Sequence, residues 1–363
     1  MANLTRRRQF YTAIATTCVA IIAFTVGISS HGLAFITSDF VSAPGQFAAN
    51  HGASIVELIE GNLFVCWYAG SEEKAADVQI YCSRRYGPTN AWTAPQAVVK
   101  SGETASNGWL ANKTLGNAAL YRGNGSSLWL FYTATTLVSG WSGSHVAYKI
   151  SMDSGTTWST QGNRITNFWG NLIRNKPIAW GDSQILLPLY HELLGQYGFI
   201  CAATIQNKSI APEQCERIPG RGHLQPALVR LPDGSLAAYL RNAKSGQLLV
   251  SIAPLGSLVW SSPTPTNLAN PNSAVDVIGI SEGRILIIYN SSRSGRNVLS
   301  VAISQDGYHF SWIRDLENAP GAGGFSYPSI LQDRQGLWHV VYTYQRRAAI
   351  KHVAFDKAWL GIR

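Results

Sequence analysis

The chain has 363 residues, 46% of them hydrophobic and 13% charged, with 34 Gly, 12 Trp and 15 Tyr. That balance suits an all-β protein with many tight turns and excludes a disordered chain or a coiled coil. Setting three N-terminal arginines aside lowers the net charge from +9 to 26 basic against 20 acidic residues, with no basic block of the kind nucleic-acid binders carry.

Arg6, Arg7 and Arg8 precede an apolar run from about Ala13 to Ile28 and then small and polar residues, the layout of an export signal. Arg7-Arg8-Gln9-Phe10 also fits a twin-arginine pattern. The run falls short of the ~20 apolar residues a membrane span usually needs. Residues 1–34 are therefore expected to be an export signal, with an uncleaved membrane anchor as the alternative, and residues 35–363 a folded domain. The expected location is periplasmic or extracellular. Cys18 sits inside the apolar run without a convincing lipobox. Cys66, Cys82, Cys201 and Cys215 show no metal-ligand spacing. Sequential disulfides across two hairpins suit an exported protein, and buried free thiols remain open.

Apolar, β-rich runs ending in Tyr recur behind a Gly-containing turn: Gly61–Tyr68, Gly125–Tyr132, Gly181–Tyr190, Gly234–Tyr239, Gly283–Tyr289 and Gly336–Tyr342. They are spaced about 50 to 65 residues apart. A short strand precedes each Gly turn and a third strand usually follows. In the second and fifth units the third strand runs into a S-x-D-x-G turn: Ser151-Met-Asp-Ser-Gly-Thr-Thr-Trp158, and a weaker copy at Ser304-Gln-Asp-Gly-Tyr-His-Phe310. In such a turn the Asp and Ser cap backbone N–H groups, Gly takes φ > 0 and Trp wedges beneath. Six small sheets at this period predict a six-bladed β-propeller. The stretch Pro254–Pro271 reads as a connection between blades. Arg174–Pro177 and Phe325–Ser329 open blades three and six.

The six units, the two Asp boxes and the closing segment Phe325-Ser-Tyr-Pro-Ser329 resemble the sialidase (neuraminidase) superfamily, in its bacterial branch with BNR/Asp-box repeats, from roughly Asn50 to His352. The resemblance implies an exo-glycosidase acting on a terminal acidic sugar of a glycan, with no cofactor and no metal. In that family three arginines grip the substrate carboxylate by guanidinium forks. An Asp serves as acid/base, and a Tyr attacks where an anionic nucleophile would be repelled. A Glu takes the phenol proton, because Tyr at its ordinary pKa of ~10 is a poor nucleophile.

Position by position, the resemblance puts Tyr327 at the nucleophile, Arg241 at the second triad arginine, Arg296 at the third and Asp77 at the acid/base. Two positions depart. His51 stands where the first arginine belongs, and Gln225 stands at the Glu, with His223 nearby as a substitute base. Lys176, Asn272, the pair His191-Glu192 and Arg346 lie at the same level of the blades and are candidate substrate contacts. Two other readings stay open: a lyase on uronic-acid glycans using His51, His223 and Tyr327, and a glycan-binding propeller without catalysis.

Overall fold

The computed structural model describes residues 36–362, except 88–89, 104–111, 137–139, 167–168, 207 and 322. The expected export signal and Cys18 lie outside the described residues. Among the described residues no helix is long and apolar enough to cross a membrane.

Six antiparallel sheets follow one another around a ring. Blade 1 runs Ala49–Glu57, Leu63–Gly70, Gln79–Arg85 and Gln96–Val99; blade 2 runs Thr114–Arg122, Leu128–Thr135, Ser144–Ser151 and Asn163–Arg164. Blade 3 has an interrupted first strand, Asn171–Ile173 and Ile178–Ala179, before Gln184–His191, Tyr197–Gln206 and Ser209–Arg217. Blade 4 runs His223–Arg230, Leu236–Asn242, Gly246–Ala253 and Thr264–Asn270. Blade 5 runs Asp276–Gly279, Ile285–Tyr289, Val298–Ser304 and Phe310–Asn318. Blade 6 takes Ser326–Gln332, Trp338–Tyr344 and Ala349–Phe355 from the end of the chain, and its outermost strand, Ile36–Ser42, from the beginning.

The Tyr-ending runs are the second strands of the blades. A sheet covered on both faces reads as a continuous apolar run rather than an alternating one, and Leu128–Thr135 is buried at every position. The six tyrosines are all buried, from 0% to 4% exposed. One hydrophobic cluster lies between each pair of neighbouring blades, the sixth joining Val41, Leu331 and Val341 of blade 6 to Ile55 and Trp67 of blade 1. The ring is thereby closed by packing as well as by strand pairing. Pro254–Pro271 departs from the expected connection, because Thr264–Asn270 within it pairs as the fourth strand of blade 4.

Both Asp boxes form the turn between third and fourth strands, at the rim. Asp153 accepts from Thr157 N at 2.8 Å, and Gly155 N donates to Ser151 Oγ at 2.8 Å. Hydrogen bonds from Thr157 hold the Asp153 carboxyl down to about 2. Asp306 repeats the pattern with the N–H groups of Tyr308 and His309, both at 2.8 Å. Disulfides join Cys66 to Cys82 and Cys201 to Cys215, each between directly opposed residues of adjacent strands. At the seam, Asp39 of the closing strand accepts from His352 at 2.8 Å and pairs with Arg85 of blade 1 at 2.8 Å. His352 continues to His339 at 3.0 Å, and His339 to Asp333 at 2.9 Å.

Candidate functional site

The innermost strands are not regular. Pairing slips in blade 1 between His51 and Ser54, in blade 2 between Gly116 and Ala118, in blade 4 between Leu224 and Ala227, and in blade 6 between Ser326 and Ser329. Each slip contains a residue of positive φ: Gly52, Asn117, Gln225 and Tyr327, at +66°, +39°, +54° and +56°. Asn272, ahead of the first strand of blade 5, has φ +55°. A β-bulge re-aims a side chain that a regular strand would point at a neighbouring sheet. Left-handed backbone at non-glycine residues costs energy and concentrates at functional sites. Here the four non-glycine residues all line one cavity of about 250 Å³ at the channel mouth. Trp141 closes one side, resting so close to Gly116 that a Cβ there would lie 2.3 Å from its ring.

Tyr327 is the hub of this cavity. Its hydroxyl accepts from Arg241 Nη1 at 2.9 Å and from Gln225 Nε2 at 3.2 Å. The same Arg241 nitrogen donates to Gln225 Oε1 at 3.1 Å, which fixes the orientation of the amide. Arg241 Nε reaches Asn272 Oδ1 at 2.5 Å, and Arg296 donates to the Asn272 carbonyl at 2.6 Å. The Arg296 guanidinium lies 5.7 Å from the Tyr327 ring centre, and the His51 ring packs against the phenol at 4.1 Å. Opposite them, Glu73 accepts from Tyr68 at 3.3 Å and forms an ion pair with Arg347.

Burial pushes the Tyr327 phenol up, but Arg241, Arg296 and the hydrogen bond from Gln225 outweigh it, leaving the phenol below its ordinary range. Burial and the surrounding arginines, Arg347 first, hold His51 far below its usual value, so its ring is neutral. His51 contacts Thr343 Oγ1 through Nδ1 at 2.8 Å. Burial raises the Glu192 carboxyl, partly offset by Arg241. Among the described residues no group of three or more His, Cys, Asp or Glu could hold a metal ion.

Of the residues singled out in the sequence, His51, Glu192, Gln225, Arg241, Asn272, Arg296 and Tyr327 converge on this cavity. The other five lie elsewhere. Asp77 is exposed and caps its own loop, accepting from Ser71 N and Oγ at 2.9 Å each. His223 is buried with both ring nitrogens bonded to backbone: Nδ1 accepts from Gly198 N, and Nε2 contacts the Pro219 carbonyl. It cannot take a proton from Tyr327. Lys176 points down the channel to Asp276 at 3.0 Å and Ser329 at 3.1 Å. His191 faces a separate apolar cleft, since neighbours on a strand point to opposite faces and Glu192 takes the cavity. Arg346 is exposed, and Arg347 beside it enters the site.

Sequence reasoning passed over Glu73, Asn117, Trp141, Tyr190 and Gln196 as cavity residues, and on the final hairpin it singled out Arg346 instead of its neighbour Arg347. Glu73 carried a usable signal, being the carboxylate four residues before Asp77 in the same loop. Strand alternation could not separate Arg347 from Arg346, because Gln345, Arg346 and Arg347 all have positive φ.

A closed ring of six four-stranded blades with an arginine-lined mouth defines the class, a sialidase-like β-propeller. The chain belongs to the BNR repeat-like domain family, which it matches over residues 61–340. It is similar in structure to the Hadza microbial sialidase Hz136, with a TM-score of 0.71 and 15% identity, covering 88% of this chain and 68% of that one. It is also similar to the intramolecular trans-sialidase from Ruminococcus gnavus, solved with oseltamivir carboxylate: TM-score 0.69, 14% identity, 86% and 96% covered. Trypanosoma rangeli sialidase gives 0.67 at 11% identity, with 90% of this chain and 60% of that one covered. At these identities the likeness is one of fold. No curated protein matches the chain by sequence.

Proposed function

We propose that the protein is an exported glycosidase of sialidase type that hydrolyses a terminal acidic sugar from a glycan. One observation carries this reading: the Tyr327 hydroxyl sits 2.9 Å from Arg241 Nη1 in a cavity also lined by Arg296, Arg347 and the carboxylate Glu73. Three guanidinium groups around one small cavity are the donors a carboxylate ligand requires. Arg347 supplies the guanidinium that His51 leaves missing at the first arginine position.

In this reading Tyr327, its phenol proton already lost to solvent, attacks the anomeric carbon through its oxygen. The bond to the leaving oxygen breaks with its electron pair, and Glu73 supplies the proton that oxygen needs. A substrate carboxylate competes for Arg347, and Glu73, released from its ion pair as a carboxylate, takes a proton from solvent before it acts as the acid. Water then cleaves the sugar from Tyr327, returning its proton to Glu73. The two disulfides support a site of action outside the cytoplasm. A lyase reading loses one of its two bases with His223 sealed in backbone contacts.

Purified protein incubated with aryl glycosides of sialic, deaminated sialic and uronic acids tests the reading. Release of the aryl group from at least one, lost in Tyr327→Phe, is expected. A folded protein that releases none of them overturns it.

A further inference from the structure

Beneath the ring of Tyr327 lies a fourth guanidinium that does not line the cavity. Arg174 leaves the short strand Asn171–Ile173 of blade 3 and reaches across to blade 6, donating Nη2 to the Pro328 carbonyl at 3.0 Å. It is 1% exposed, and its guanidinium carbon is 5.1 Å from the Tyr327 ring centre. Among the described residues its Nε meets no acceptor. The carboxylate that acts on it most strongly, Asp276, is already held by Lys176 at 3.0 Å and by Ile330 N at 2.9 Å. Among the described residues no carboxylate forms an ion pair with Arg174. A buried cation without a counter-charge is costly and invites one.

The Tyr327 oxygen shows the complementary deficit. It receives two N–H donors, from Arg241 and Gln225, and no acceptor among the described residues takes a hydrogen from it. A phenolate, which only accepts, fits that geometry better than a phenol. Its charge spreads into the ring, so a cation at the ring face is held more tightly after ionisation than before.

We propose that Arg174 is a positioning residue for Tyr327, a permanent buried cation whose counter-charge is the phenolate itself, so that the phenol ionises without a carboxylate base. The assignment rests on Tyr327 being the nucleophile of the proposed hydrolysis. The proton leaves to solvent through the cavity mouth before substrate binds. Facing Tyr327 are the cations Arg241, Arg296 and Arg347, the carboxylates Glu73 and Glu192, and the neutral groups His51, Tyr68 and Tyr190. With Arg174 beneath, the positive charges outnumber the negative ones by two. Burial raises the Tyr327 phenol, and Arg241, Arg296 and Gln225 already bring it below its ordinary range, in the direction to which the Arg174 charge adds.

The test is a pH titration of the whole protein carrying tyrosine labelled with carbon-13 at Cζ, read by NMR without substrate and assigned with Tyr327→Phe. The Tyr327 signal is expected to reach its phenolate position while ordinary tyrosines are still neutral. Arg174→Met is expected to move that midpoint up by about 1–3 pH units. Should Arg174→Met fail to fold, Arg174→Gln carries the same comparison while keeping a donor for Pro328. An ordinary midpoint in the wild type, or the same midpoint with and without the Arg174 charge, overturns the proposal. A protein that titrates as expected yet releases no sugar overturns only the hydrolase reading. One that turns over with an ordinary phenol overturns only the role of Arg174.

Discussion

Arg347, from the last hairpin of the chain, closes an ion pair with Glu73, from the second hairpin of blade 1, across the seam where the ring shuts. The pair brings a carboxylate to the cavity wall from the loop in which Asp77 faces solvent. Glu73→Gln is therefore expected to lower kcat by about 10²–10⁴, the range general-acid catalysis supplies. The loss should be smallest for aryl leaving groups, which need little protonation, while Asp77→Asn stays near wild type. Steady-state kinetics on aryl and alkyl glycosides check this; equal losses in both variants would refute the role given to Glu73.

Gln225→Glu separates two accounts of how Tyr327 ionises. If a missing base limits the enzyme, a carboxylate here should raise kcat. With arginines already supplying the counter-charge, an added anion beside Tyr327 opposes ionisation and weakens the grip on a substrate carboxylate. We expect kcat to fall and KM to rise, each by about tenfold, equivalent to roughly 1.4 kcal/mol apiece. A gain in kcat would be the contrary result.

Acid should loosen the seam. Burial holds His352 down to about 4, against the pull of Asp39, whereas a free imidazole titrates near ~6.5. As pH falls, the unfolded chain takes up this proton before the folded one does. Stability therefore drops between about 6.5 and 4 and is not lowered further by His352 below that. About 2.5 units correspond to on the order of 3 kcal/mol. Asp39 and Asp333, kept below their ordinary values by their imidazole partners despite burial, add a second loss toward the acid side of ~4. Urea denaturation at pH 7, 5.5 and 4.5 should show the slope, and His352→Asn should flatten it. An unchanged slope in that variant would count against the assignment.

Each disulfide closes a loop of about 15 residues, for which chain entropy gives about 3 kcal/mol. Cys66→Ala/Cys82→Ala should lower Tm more than Cys201→Ala/Cys215→Ala, because the first pair is packed in the core between blades 1 and 2. Calorimetry of the two double variants decides the order; equal losses would place the stabilisation in loop closure alone, and a reversed order would refute the packing argument.

Periodicity made the propeller legible because a blade strand covered on both faces leaves an unbroken apolar run, and six such runs ended in buried tyrosines. Tyr327, Arg241 and Arg296 were singled out through the resemblance to the sialidase superfamily, by where they stand in its motifs. What escaped depended on backbone departures that pattern cannot register. Arg347 enters through three successive left-handed residues, and the path of one loop turns Glu73 to the cavity and Asp77 to solvent. Arg174 escaped because it breaks the inner strand of blade 3 instead of continuing it. His223 misled for the opposite reason: its position suits a base, yet its ring is spent on the Gly198 and Pro219 backbone.

The pairing of Ile36–Ser42 with Ala349–Phe355 has a consequence for biosynthesis. Asp39 and His352 are 313 residues apart in the chain, so at ~5–20 residues per second the first strand waits roughly 15 to 60 seconds for its partner to leave the ribosome. During that wait it is an unpaired edge, a template for unwanted β-pairing. Thr37, Ser38 and Asp39 make it one of the most polar strands of the propeller, and only its last two residues are buried once it docks. The strand that must stay soluble longest is thus one with little to hide, and the ring closes only when Ala349–Phe355 emerges.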